Sequence, residues 1–165
     1  MRSKLTAGII AGLLGGLVFG MMMQIMKTPD GKMPMMGMVA MVVGSKSLVV
    51  GWLYHLFNSA VIGALFGWLL GSRVHGYGSG LGLGALYGLV WWVLGGLILM
   101  PMMLGMPVFA SLTMAGMMPV AMGSLMGHLI YGLILGAAFV WLYRTVAGRS
   151  ETRVPEQGAG VARRA

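Results

Sequence analysis

Charge is what this chain most lacks. Only 8% of its 165 residues are Asp, Glu, Lys or Arg, against roughly a quarter in a typical globular protein. Between Arg73 and Arg144 there is no charged residue at all. A soluble domain cannot cover its surface on those terms, so that class is excluded. Cysteine is also absent, which removes disulfides, thiolate metal sites and a cysteine nucleophile. The acidic residues are Asp30, Glu151 and Glu156, all outside the apolar runs. No pair of carboxylates is therefore available for general acid–base or glycosidic chemistry. The serines near His55 lack a third orienting group, and no glycine run has the form of a phosphate loop. A non-enzymatic protein is expected.

What is present is apolar. Residues of the AVILMFWYC set make up 58%, the mean hydropathy is +0.89, and there are 29 glycines and 19 methionines. Crossing the hydrocarbon core takes about 20 helical residues. Four runs reach that length, near 5–26, 48–70, 80–100 and 121–143. They do not alternate as barrel strands do, and lipid offers no partner to an open strand edge. The fold class is thus all-α integral membrane. The expected layout is one four-helix domain over 1–146 and a disordered cytoplasmic tail over 147–165. The basic, apolar N-terminus resembles a signal peptide, but the run continues to Met26 with no small-x-small site. A retained first span is the better reading.

The net charge of +8 sits at the ends and in short connections, which suits membrane flanks rather than nucleic acid. Arg2, Lys4, Arg73, Arg144, Arg149, Arg153, Arg163 and Arg164 fall on one side, and Lys27, Lys32 and Lys46 on the other. By that asymmetry both termini are cytoplasmic, in a multi-pass protein of the cell inner (plasma) membrane. The outer connections, 33–44 and 106–123, are apolar, methionine-rich and opened by proline. They are too short to span, and are expected to lie in the interface or dip into the membrane.

The chain also reads as one hairpin written twice. Placing His55 on His128 sets HLFNSAVIGALFGWLL against HLIYGLILGAAFVWLY, with seven of sixteen positions identical. Each unit enters and leaves on one side, so the two tandem hairpins are related in parallel, by an axis along the membrane normal. Glycines recur every four residues at Gly8, Gly12, Gly16 and Gly20, at Gly63, Gly67 and Gly71, and at Gly80, Gly84 and Gly88. That spacing predicts glycine-zipper packing, since small residues are the usual contact surface between helices in lipid.

Candidate site residues follow from depth. His55 and His128, with Asn58 and Tyr131 one turn further in, occupy equivalent positions in the two halves. Trp91, Trp92 and Gln24 lie in the same layer, together with methionines of the first span. An ionisable residue inside a membrane suggests function, because burying it without a partner costs free energy. The plainer alternative is helix–helix glue, each histidine bonding a backbone carbonyl or Tyr131. Soft thioethers beside imidazole suit copper(I), and His55, His128, Met22, Met26 and Met103 are the candidate ligands. The Met33–Met41 and Met114–Met122 clusters are further candidates, with flexible apolar filler as the alternative. Two histidines on parallel helices also leave a bis-histidine haem b open. His75 reads as a solvated loop residue.

The run YGLVWWVLGGLILMPMMLGMP (87–107), with a histidine early in the preceding span, resembles small bacterial and archaeal polytopic membrane proteins. That resemblance implies a four-helix fold and carries no chemistry. The expected function is binding or passing a small ligand or metal ion, copper(I) being the leading metal, in a homo-oligomer surrounded by lipid. The alternative is an accessory subunit packed against a larger membrane complex.

Overall fold

A computed structural model describes the backbone from Arg2 to Glu151 and the side chains from Lys4 to Arg144; the expected tail falls largely outside these described residues. The described elements are all helical. Four helices are long and apolar enough to cross a membrane, over Lys4–Ile25, Leu48–Leu69, Tyr77–Met103 and Met118–Arg144. The first belongs to α1 (Arg2–Ile25), the second is α3 (Leu48–Leu69), and the fourth belongs to α7 (Met118–Glu151). The third is composite. It begins as α4 (Tyr77–Trp91), winds as a π helix through Trp92–Leu99, and ends in α5 (Met100–Met103). Two short helices, α2 (Met35–Val42) and α6 (Ala110–Thr113), lie in the connections. The third and fourth spans are longer than expected because apolarity marks the hydrocarbon, while a helix continues until its backbone finds another partner.

Glycine sets how the spans meet. An added Cβ on Gly8 would lie 2.2 Å from the Gly63 carbonyl oxygen, and one on Gly12 would lie 2.3 Å from that of Ser59. These contacts run α1 antiparallel to α3. The third and fourth spans meet in the same way: Gly84 faces the Gly132 carbonyl at 2.2 Å and Gly88 that of His128 at 2.2 Å. Real Cβ atoms do not come that close, so these backbones touch only because the side chains are missing.

The aromatic core sits at the same end. Phe66 packs edge-on against Tyr87 and Phe139, at centroid distances of 5.3 and 5.5 Å, and is fully buried. Tyr87 donates its hydroxyl to the Ile62 carbonyl at 2.8 Å. Beyond this core the basic residues gather: Lys4 stands over the Tyr143 ring at 5.8 Å and Arg144 over Tyr77 at 5.5 Å.

At the opposite end of the bundle the connections fold back. Residues 27–35 form a tight turn, with Thr28 N–H donating to the Met33 carbonyl and Met35 N–H to that of Met26. The Thr28 hydroxyl donates to Asp30 and holds its carboxyl below the usual carboxylate range. Helix α2 then buries Met35, Met36, Val39 and Ala40. The first outer methionine cluster is therefore divided, because an amphipathic helix sends neighbouring side chains to different faces. Met36 is fully enclosed, whereas Met33 and Met41 are exposed.

Glycines of one helix give an internal control for the packing. Gly84→Leu must displace the Gly132 carbonyl and is expected to destabilise the protein by about 2–3 kcal/mol or more. Gly82→Leu meets nothing within 4 Å and should be nearly silent. Thermal unfolding of the two variants in detergent measures the difference; equal tolerance would mean that the close contacts do not hold the bundle.

Candidate functional site

At the end away from the glycine crossings the helices part around a cavity of about 410 Å³. Its walls come from all four spans, α2 and the segment before α7. The sequence-predicted residues His55, Asn58, Trp91, His128, Tyr131, Met26 and Met103 all line it. Three others do not. Gln24 is turned toward α3, where its Oε1 accepts from Trp52 Nε1 at 3.2 Å. Trp92 lies outside the lining, its Nε1 buried without a hydrogen-bond partner among the described residues. Met22 is likewise absent from the cavity wall. These three share the depth of the site but point in other directions.

The two histidines are fixed by different partners. His55 is buried, and its Nε2 lies 2.8 Å from the Gly16 carbonyl oxygen on α1. A carbonyl can only accept, so Nε2 carries the hydrogen, and in the neutral ring Nδ1 keeps a lone pair. His128 is the mirror case. Its Nδ1 lies 2.8 Å from the Ser124 carbonyl of its own helix, which leaves Nε2 as the free acceptor. Helix–helix glue therefore describes one nitrogen of His55 and neither nitrogen of His128. In each ring one nitrogen is anchored to a carbonyl and the other has no hydrogen-bond partner among the described residues, the arrangement that orients a ligating imidazole.

Tyr131 bonds neither ring; its hydroxyl donates to the Ser59 carbonyl at 3.0 Å. The Ser59 hydroxyl in turn donates to the His55 carbonyl at 2.8 Å. Phe19, which sequence reasoning missed, packs edge-on against both imidazoles, at 5.7 Å from His55 and 4.9 Å from His128. The cavity is also rich in methionine. Eight of the nineteen line the cavity, among them Met23, Met26, Met35, Met100, Met103 and Met117. No group of three or more His, Cys, Asp or Glu forms a metal cluster among the described residues. Any metal here would rest on two imidazoles and thioethers.

The wall opposite His128 depends on the irregular third span. Gly95 and Gly96 lie in the π segment, and an added Cβ on Gly95 would sit 3.9 Å from His128 Nε2. Pro101 has no N–H to give the Leu97 carbonyl four residues back. Phe109, in the following connection, donates its N–H to that carbonyl at 2.7 Å. To do so it adopts φ 61°, the left-handed region, alone among the described non-glycine residues. The latch brings Ala110 and Ser111 into the cavity wall, both buried. Positive-φ glycines, Gly105 and Gly116, flank the latched segment. The second outer connection thus folds back against the third span. Pro101 was the available signal for this, since a proline inside a span leaves a carbonyl to be claimed.

Comparison with known protein families, characterised proteins and solved structures finds no match.

Restoring the missing donor tests the latch. Pro101→Ala supplies an N–H that competes for the Leu97 carbonyl, so amide exchange across 104–117 should rise while helix content stays unchanged. Unchanged protection of Phe109 would mean that the proline has no part in holding the segment.

Proposed function

We propose that this chain is a non-enzymatic polytopic membrane protein that binds or passes a small ligand or metal ion in the cavity, copper(I) being the leading metal. One observation carries the reading. Two imidazoles, each with one nitrogen anchored to a carbonyl and the other free, share one methionine-lined cavity at a depth where unpartnered polar groups are costly. Neutral imidazole and thioether suit copper(I) better than a hard ion. Haem b is disfavoured, because Phe19 already packs against both rings.

The architecture we propose is two glycine-zipped helical hairpins, tandem and related in parallel. The matching contacts support it: Gly8 and Gly12 meet Gly63 and Ser59, as Gly80 and Gly84 meet Gly136 and Gly132. The proposed orientation puts both termini in the cytoplasm of a cell with this protein in its inner (plasma) membrane. The gathering of Lys4, Arg73 and Arg144 at the glycine-crossed end supports it. The cavity then lies in the outer half of the bilayer. A homo-oligomer is the proposed assembly, and an accessory subunit of a larger complex is the second reading. Lipid-facing residues such as Leu53, Phe57 and Trp68 offer surface to either.

Copper(I) competition on the purified protein tests the site. His55→Ala and His128→Ala should each remove most of the bound metal, with the double variant little worse, since groups acting as a unit lose their effect non-additively. His128 decides the matter, because it contributes no interhelical bond. Copper retention by a well-folded His128→Ala would sink the copper reading.

Orientation is tested separately with a membrane-impermeant thiol reagent. Lys46→Cys should label in intact cells and Ser72→Cys only after permeabilisation, both positions being exposed. The reverse pattern would invert the topology.

A further inference from the structure

The cavity is large for a single ion. At about 410 Å³ it falls within the range of organic-ligand pockets, roughly 300–1,000 Å³. It would hold on the order of a dozen waters at about 30 Å³ each, yet most of its wall is methionine, aliphatic and aromatic. Water would find few partners there.

The polar side chains of the lining include both senses: Asn58 can donate and accept, Ser111 has an unused hydroxyl, and the two imidazoles accept. Among the described residues no Asp, Glu, Lys or Arg is in the lining, so a charged organic molecule, which imidazole and thioether cannot ligate as they do a soft metal ion, would find no counter-charge there. His55 Nδ1 and His128 Nε2 are left as acceptors by the bonds their other nitrogens make. Ser111, only 6% exposed, lines the cavity with its Oγ unbonded among the described residues. A buried hydroxyl without a partner costs about 1–3 kcal/mol, so this one points to an occupant that completes it. The site thus suits a neutral molecule that donates to the two ring nitrogens and accepts from Asn58 or Ser111.

The route in is also visible. Val61, Leu99 and Met103 line the cavity and are at the same time exposed on the outside of the bundle. Its wall therefore reaches the lipid-facing surface between α3 and the third span. An occupant dissolved in the bilayer has lateral access.

We propose that the occupant is a neutral, lipid-soluble hydroxyl donor of the quinol class. Its hydroxyl hydrogens meet the free ring nitrogens of His55 and His128, and its own oxygen accepts from Ser111. The ring lies among Trp91 and the methionine thioethers, which make favourable contacts with aromatic edges. The oxidised quinone has no hydroxyl hydrogen for either ring nitrogen and keeps only what Asn58 and Ser111 can donate, so it is left about one hydrogen bond short of the quinol. This assignment rests on the reading of the cavity as a ligand site, and it names the class of ligand.

The test uses the full chain in phosphatidylcholine nanodiscs, titrated anaerobically with decylubiquinol and, separately, decylubiquinone. The quinol is expected to bind about tenfold more tightly, the worth of one hydrogen bond gained in an apolar site. His128→Phe should abolish that preference. Ser111→Ala should raise the unfolding temperature of the ligand-free protein while weakening the quinol several-fold, a split that a merely structural serine would not produce. If His128→Phe does not fold, Ser111→Ala decides alone. Equal binding of both redox forms, or a quinol preference that survives these substitutions, overturns the assignment. Copper(I) binding with no quinol binding overturns the assignment and leaves the cavity reading standing. Failure of both ligands to bind overturns both.

Discussion

Backbone contact between glycines is the constraint on which the rest of this bundle depends. In lipid there is no hydrophobic drive to bring helices together, so attraction comes from close packing and from hydrogen bonds. At one end, glycines of α1 and α4 lie directly on carbonyls of α3 and α7. Past them the spacing cannot be kept. Trp52 and Phe19 take the positions facing Gly20 and Gly127, with ring carbons 2.4 and 2.0 Å from where a Cβ would be. Helices pinned close at one end and held apart by rings further along leave space between them, and the cavity opens at the level of Phe19 and runs on toward the connections. Its site is a consequence of where the glycine contacts end.

An opening among helices long and apolar enough to cross a membrane creates a second problem, since backbone groups in hydrocarbon have no water to satisfy them. The third span meets it in an unusual way. Its π winding and Pro101 loosen the helix beside the cavity, and the freed Leu97 carbonyl is closed by Phe109 from the connection beyond. The strain of a left-handed phenylalanine, of order 1–3 kcal/mol, is offset by satisfying that carbonyl. Irregular backbone is tolerated within a membrane where protein buries it or it lines a cavity, and this segment does both.

Fold and site were legible in the sequence to different degrees, for physical reasons. Span length and apolarity follow from bilayer thickness, so four spanning helices could be read from composition alone. The repeat offset pairing His55 with His128 was enough to expect them at one depth, and both line one cavity. Rotation about the helix axis was not legible at every position. Gln24 and Met22 have the right depth and the wrong azimuth. Trp92 follows Trp91 by about 100° of ordinary α-helical turn, its N–H still bonding the Gly88 carbonyl, so with Trp91 in the cavity wall Trp92 faces elsewhere. Further along, the π winding, in which each hydrogen bond spans five residues rather than four, turns side chains away from where an α helix would set them. Ser111 was hidden differently: it sits in a segment that reads as merely apolar, and its place depends on a bond from Phe109 to a residue twelve positions earlier in sequence.

The opposite tautomers of the two histidines carry the remaining argument. Two histidines that line one cavity need not do equivalent work. His55 spends one nitrogen on Gly16 of a neighbouring helix, whereas His128 spends one on Ser124 of its own. The difference traces to what each helix meets at that level. Close approach of α1 brings the Gly16 carbonyl within reach of the His55 ring. Across from His128 stand Gly95 and Gly96 of the π segment, with His128 ring atoms 3.9 and 3.5 Å from their would-be Cβ positions. No carbonyl of that span takes its proton, so the ring turns back on its own helix. The two rings thus form an asymmetric pair, one tying helices together and one held by its own helix alone. An asymmetric pair of acceptors can hold a ligand in one orientation, which a symmetric pair would leave free to turn over.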